Sequence, residues 1–189
     1  MTFPEIYRND LIETLNKIDM DKVNQAIEWL RAARDEDRQI FVCGNGGSAS
    51  SSSHFVCDMV KGASYKRDKR FRIMALTDSL PTITAYSNDV TYDIVFAEQL
   101  KNFAQPGDVV MAISGSGNSP NVLRAIEYAN SIGCKTVGLT GRDGGKLGSL
   151  AQLNVQVPVP HMGRIEDAHM IICHMIGYYF MDTEMAAAG

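Results

Sequence analysis

The chain has 189 residues, 45% of them hydrophobic and 21% charged, with a formal charge of −4 at pH 7. That length builds one well-cored domain and is short for two of ordinary size. The mild acidity argues against a nucleic-acid-coating protein, and no apolar stretch approaches the roughly 20 residues of a membrane span.

In chain order, the opening MTFPEIYRND lacks the basic-then-apolar layout of a secretory signal. From Glu5 to Glu36 the pattern is helical: Leu11, Ile12, Leu15 and Ile18 recur at helical spacing, as do Val23, Ile27, Leu30 and Ala33. Asp19 or Asp21 can cap the second of these helices. Apolar strands then follow at 38–43, 71–76, 108–113, 134–139 and 152–158, with helices expected at 48–62, 91–103, 119–132 and 164–182. Short Val- and Ile-rich strands separated by helices make βαβ units and a parallel sheet covered on both faces. The expected fold is α/β: a three-layer α-β-α sandwich on a five-stranded parallel sheet, in a single domain spanning 1–189. A helical hairpin (1–36) precedes its core (37–185). The basic cluster Lys66, Arg67, Lys69, Arg70 and Arg72 reads as a solvated turn. Cys43, Cys57, Cys134 and Cys173 show no CxxC spacing, so they are expected to be free thiols in a reducing cytoplasm.

In such a sheet, ligands bind beyond the carboxyl ends of the strands. The segments leaving those ends are GNGGSASS (44–51), TDSLPTITAYSND (77–89), SGSGNSPN (114–121) and TGRDGG (140–145). Glycines bring backbone N–H groups close to a ligand, and a following helix adds unpaired donors and partial positive charge. The loops at 44–48 and 114–119 share this plan, the second adding Ser114, Ser116 and Ser119. Ser119-Pro120 reads as an N-cap with proline at the first helical position. Hydroxyls and amides with few cations suit a single phosphate. Gly44-x-Gly46-x-x-Ala49 also fits a dinucleotide fingerprint, but Asp78 lies too far on to be its acidic partner, and no GK[ST] follows for a Walker loop. A sugar phosphate, with no nucleotide cofactor, is therefore expected.

The four histidines are His54, His161, His169 and His174. His54 and Asp58 are one helical turn apart and share a face. Glu166 and His174, eight apart, lie on roughly the same side of the last helix, whereas His169 is about 140° from His174. Two imidazoles and two carboxylates suit either a zinc site or acid–base chemistry on a sugar.

GNGGS behind the first strand, ISGSGNS, LTGRDGG and the RIEDAH…H helix together resemble the sugar isomerase (SIS) domain, closest to the bacterial phosphoheptose isomerases, over residues 20–182. The resemblance implies a homotetramer with active sites at subunit interfaces. It implies interconversion of D-sedoheptulose 7-phosphate and D-glycero-D-manno-heptose 7-phosphate, the first step towards nucleotide-activated heptose. Carried over by position, Asn45, Gly46, Gly47, Asn88, Asp89, Ser114, Gly115, Ser116, Ser119, Asp58 and Glu166 would contact substrate. His54, Asp58, Glu166 and His174 would hold zinc, and Asp58 and His174 would be catalytic. Asp58 stands where the family has glutamate, and Glu166 where it has glutamine. The alternatives are a non-catalytic SIS protein that binds the replication initiator, or an isomerase of another sugar phosphate.

Overall fold

The structure, a computed structural model, describes residues 1–183. Five strands, β1 (Gln39–Gly44), β2 (Arg72–Ala75), β3 (Val109–Ser114), β4 (Lys135–Gly141) and β5 (Leu153–Val157), pair in parallel in the order β2-β1-β3-β4-β5. Helices α1 (Phe3–Leu15) and α2 (Met20–Asp35) precede them. The connections carry α3 (Gly47–Cys57), α4 (Leu80–Asp89), α5 (Val95–Phe103), α6 (Pro120–Ser131) and α7 (Gly145–Leu150), and α8 (Met162–Tyr178) follows the last strand.

Every residue of β3 is buried, as a strand covered on both faces requires. Alternate side chains feed two cores. Ile40, Val42, Met111 and Ile113 pack with Ile27 of α2, Phe55 of α3 and Ile172 of α8. Phe41, Cys43, Val110 and Ala112 pack on the other face with Phe96 of α5, Ile126 of α6 and Leu147 of α7.

Asp19 caps α2 by accepting from the Asp21 and Lys22 amides. The first helix is tied to α8: Tyr7 donates its hydroxyl proton to Asp167 at 2.6 Å, and Arg164 pairs with Asp10 at 3.1 Å. Part of the basic cluster does structural service. Arg67 donates to the Phe180 carbonyl at 3.1 Å, Lys69 pairs with Asp35 at 3.4 Å, and Arg72 with Asp37 at 3.3 Å.

Two helices depart from the sequence reading. The segment 77–89, expected as a loop, becomes α4 from Leu80 onward; none of its residues is fully buried, and only Ile83 and Tyr86 pack against the core, each partly. The short α7 buries only Leu147. In addition, the helix expected over 48–62 changes type at Asp58. A π-helical turn (Asp58–Gly62) continues it, closed by the Ala63 amide donating to the Asp58 carbonyl at 3.0 Å. Single π-turns of this kind are frequent at functional sites.

Candidate active site

The sheet order reverses between β1 and β3, and in an open parallel sheet that switch point is where a crevice opens beyond the strand ends. The two glycine- and serine-rich loops leave those strands. Gly46 sits at φ 54° as the N-cap of α3, a backbone state that a side chain resists. Gly117 packs directly on the Gly144 carbonyl oxygen, so the turn after β4 closes over the loop after β3. The Leu147 amide donates to the Gly117 carbonyl at 2.9 Å, and the Lys146 amide to Asn118 Oδ1 at 3.1 Å, holding that closure.

Between the loops lies a cavity of about 140 Å³. Asn45 and Ser48 line it from the first loop, and Ser114, Gly115, Ser116 and Ser119 from the second. The N-termini of α3 and α6 flank it, bringing partial positive charge. Ser119 occupies the N-cap of α6 but makes no capping bond, which leaves its hydroxyl for a ligand. Glu166 and Met162 of α8 complete the lining, and the Glu166 carboxylate lies against Gly47, where an added Cβ would meet its oxygen at 3.0 Å. Asn88 and Asp89 do not line this cavity. They are exposed at the last turn of α4 and bonded to each other, Asn88 Nδ2 donating to Asp89 Oδ1 at 2.8 Å.

A second cluster lies further along α3 and α8. His54, Asp58 and His174 bring ligand atoms within 4.8 Å of one another, in a geometry able to hold a metal ion. Asp58 Oδ2 is 3.5 Å from His54 Nε2 and 3.6 Å from His174 Nε2, and it is buried without a hydrogen-bond partner. A carboxylate oxygen left bare between two imidazole nitrogens fits a cation in that gap, and two nitrogens with one oxygen suit zinc. Tyr178 stands edge-on to His174, with ring centroids 6.0 Å apart.

The four-ligand set expected from the sequence does not assemble within the chain. Glu166 shares a side of α8 with His174 but precedes it by eight residues, about 12 Å of helix rise, and it joins the serine-lined cavity instead. Gly47 and His54 are separated along α3 by about 10 Å in the same way. Both helices thus run from the cavity at one end to the His–Asp–His cluster at the other.

The model of the SIS domain matches residues 6–141. The chain belongs to the SIS domain family. Among its relatives are the probable phosphoheptose isomerase of Thermoplasma volcanium, 40% identical over 89% of this chain and 87% of that protein, and the phosphoheptose isomerase of Aliarcobacter butzleri, 40% identical over 93% and 90%. Among solved structures, the phosphoheptose isomerase of Neisseria gonorrhoeae superposes with a TM-score of 0.84 at 31% identity, covering 95% of this chain and 98% of that one.

Within this SIS domain the histidines divide by environment. His161 is the N-cap of α8, its Nδ1 accepting from the Arg164 amide at 3.3 Å. His169 is buried and its Nε2 meets the Thr140 carbonyl at 3.0 Å; burial pushes its pKa down to about 4, so the ring is neutral and Nε2–H donates. Only His54 and His174 join the Asp58 cluster. Cys173 precedes His174 but is an inert thiol, pushed up to about 12 by burial. Sequence reasoning missed Ser48 and Met162 as lining residues. Ser48 was legible as the last residue of GNGGS, whereas Met162 carries no local signal.

Proposed function

We propose that this SIS domain is a phosphoheptose isomerase, interconverting D-sedoheptulose 7-phosphate and D-glycero-D-manno-heptose 7-phosphate. One observation carries the reading: an anion cavity and an acid–base cluster occupy opposite ends of the same pair of helices. A phosphate held at one end leaves the carbonyl end of an open-chain sugar reaching the other. The names of the relatives agree with that assignment.

Ser114, Ser116 and Ser119, with Asn45, Gly46, Gly47 and Gly115, would take the phosphate and the adjoining hydroxyls, and Glu166 would accept from a sugar hydroxyl. The phosphate supplies binding energy remote from the reacting carbons. Asp58 removes the proton from C1 and returns one to C2, and His174 moves the accompanying proton between the two sugar oxygens. The C1–H bond breaks and a C2–H bond forms, so the exchange balances without an outside reductant. His54, Asp58 and His174 would hold zinc, which when bound supplies Lewis-acid polarisation of a carbonyl oxygen. Asn88 and Asp89 would reach substrate only from a neighbouring subunit or after α4 moves.

Self-association into a homotetramer is supported by Phe3, Ile6 and Ile12, which α1 leaves exposed. A cytoplasmic location is supported by four unpaired cysteines. Among the described residues, no helix is long and apolar enough to cross a membrane.

The test is incubation of purified protein with D-sedoheptulose 7-phosphate in deuterated water, followed by NMR. The aldose should appear carrying solvent deuterium at C2. A protein that binds the ketose and releases it unchanged would be a non-catalytic SIS module instead.

A further inference from the structure

We infer that Asn121 is a positioning residue for substrate binding, acting through Asn45. The inference rests on the reading that the serine-lined cavity takes the substrate's phosphate.

Asn121 is the second residue of α6 and is buried, at 1% exposure. Its side chain reaches across from the loop after β3 to the loop after β1 and forms a reciprocal amide pair with Asn45. Asn45 Nδ2 donates to Asn121 Oδ1, and Asn121 Nδ2 donates to Asn45 Oδ1, both at 2.9 Å. The orientation of this pair is determined by its neighbours. The Val122 amide, which can only donate, gives its proton to Asn121 Oδ1 at 3.0 Å. That makes the oxygen the acceptor and turns Asn121 Nδ2 towards Asn45. Asn45 Oδ1 is then fixed as oxygen because it accepts from Asn121 Nδ2, and the Tyr92 hydroxyl donates to the same oxygen at 2.7 Å.

One functional consequence is a matter of counting protons. An amide nitrogen carries two donors. Asn45 Nδ2 uses one on Asn121, and Asn45 itself lines the cavity beside Ser114, Ser116 and Ser119. The second N–H is therefore available to a phosphate oxygen, and its direction is set by a buried residue that does not itself line the cavity. A freely rotating Asn45 would lose this orientation and could present its oxygen, an acceptor, to an anion. The same pair ties the loop after β1 to the start of α6, so the two halves of the phosphate site share one register.

The experiment measures kcat, KM and competition by inorganic phosphate for wild type, Asn45→Ala, Asn121→Ala and the double variant, with a thermal midpoint for each. Asn121→Ala should raise KM and the phosphate inhibition constant about tenfold, with kcat within twofold. In the Asn45→Ala background the same change should add less than twofold, because the group through which Asn121 acts is gone. An unchanged KM in Asn121→Ala, or losses that multiply in the double variant, would overturn the inference. If Asn121→Ala does not fold, Tyr92→Phe decides, because it removes a bond to Asn45 without opening the core. A two- to threefold rise in KM at an unaltered thermal midpoint sustains the inference, and an unchanged KM overturns it. Failure of the phosphate reading looks different: inorganic phosphate would not compete even in the wild type.

Discussion

His54 and His174, 120 residues apart in the chain, bring their Nε2 atoms to 3.4 Å, with the rings edge to face at 71°. Two imidazole nitrogens this close to each other and to a carboxylate oxygen call for a proton or a metal ion between them. Purified protein should therefore retain about one zinc per chain, and His54→Ala and His174→Ala should each lower its affinity by at least tenfold. Metal analysis after dialysis against a graded chelator reads this. Wild-type protein that stays metal-free in zinc-supplemented medium would contradict it.

In the proposed mechanism the same cluster carries the proton transfer. Asp58→Asn and His174→Ala should each reduce kcat about 10²- to 10⁴-fold, the usual contribution of a positioned acid or base, while the circular dichroism spectrum is retained. Near-normal isomerisation by either variant would remove that residue from the mechanism.

At the other end of the helices, Ser116→Ala removes one hydroxyl from the anion cavity. KM should rise roughly three- to tenfold, with kcat preserved, because a single hydrogen bond is lost in ground and transition states alike.

Glu166 places a carboxylate in the cavity proposed to take the phosphate. Glu166→Gln keeps the acceptor for a sugar hydroxyl and deletes the charge. KM should fall about fivefold at low ionic strength, from the roughly 1 kcal/mol of repulsion between unit charges 4 Å apart in water, and the difference should shrink in salt. A rise in KM would mean that the charge itself is needed, as for a ligand to a shared metal.

His169 makes folding depend on pH. Burial lowers its folded-state pKa to about 4, while the unfolded chain titrates near 6.5, so on acidification the unfolded state takes up the proton first. Stability is full above about pH 6.5 and declines towards pH 4 by up to about 1.4 kcal/mol per pH unit. Urea unfolding at pH 7 and pH 5 should show a larger loss for wild type than for His169→Gln; equal losses would place the acid sensitivity elsewhere.

Strand positions were legible because residues such as Ile40 and Val42, or Val109 to Ile113, form short apolar runs between glycine-rich turns, and burial on both faces demands such runs. The two glycine- and serine-rich loops were legible for the same local reason. Helix α4 was not, because it is short, opens on Leu80-Pro81 and carries three threonine or serine residues among few apolar ones, of which only Ile83 and Tyr86 reach the core, each partly. His54 and Asp58 were readable as neighbours from their one-turn spacing. Glu166 was grouped with His174 from their shared side of the helix and from the family resemblance; in the structure its carboxylate lines the serine cavity instead. The Asn45–Asn121 pair is a contact through space between two loops, and no pattern in either loop announces it.

The parallel course of α3 and α8 makes the molecule a gauge. Helices barely stretch, so the span from the serine cavity to the imidazoles is set by residue count and does not adapt to what is bound. Each carbon removed from a sugar phosphate shortens it by at most one C–C bond, about 1.5 Å, and a reacting atom misplaced by about 1 Å can cost a hundredfold in rate. Selection among sugar phosphates would then rest on how far the carbonyl reaches, ahead of which hydroxyls point where.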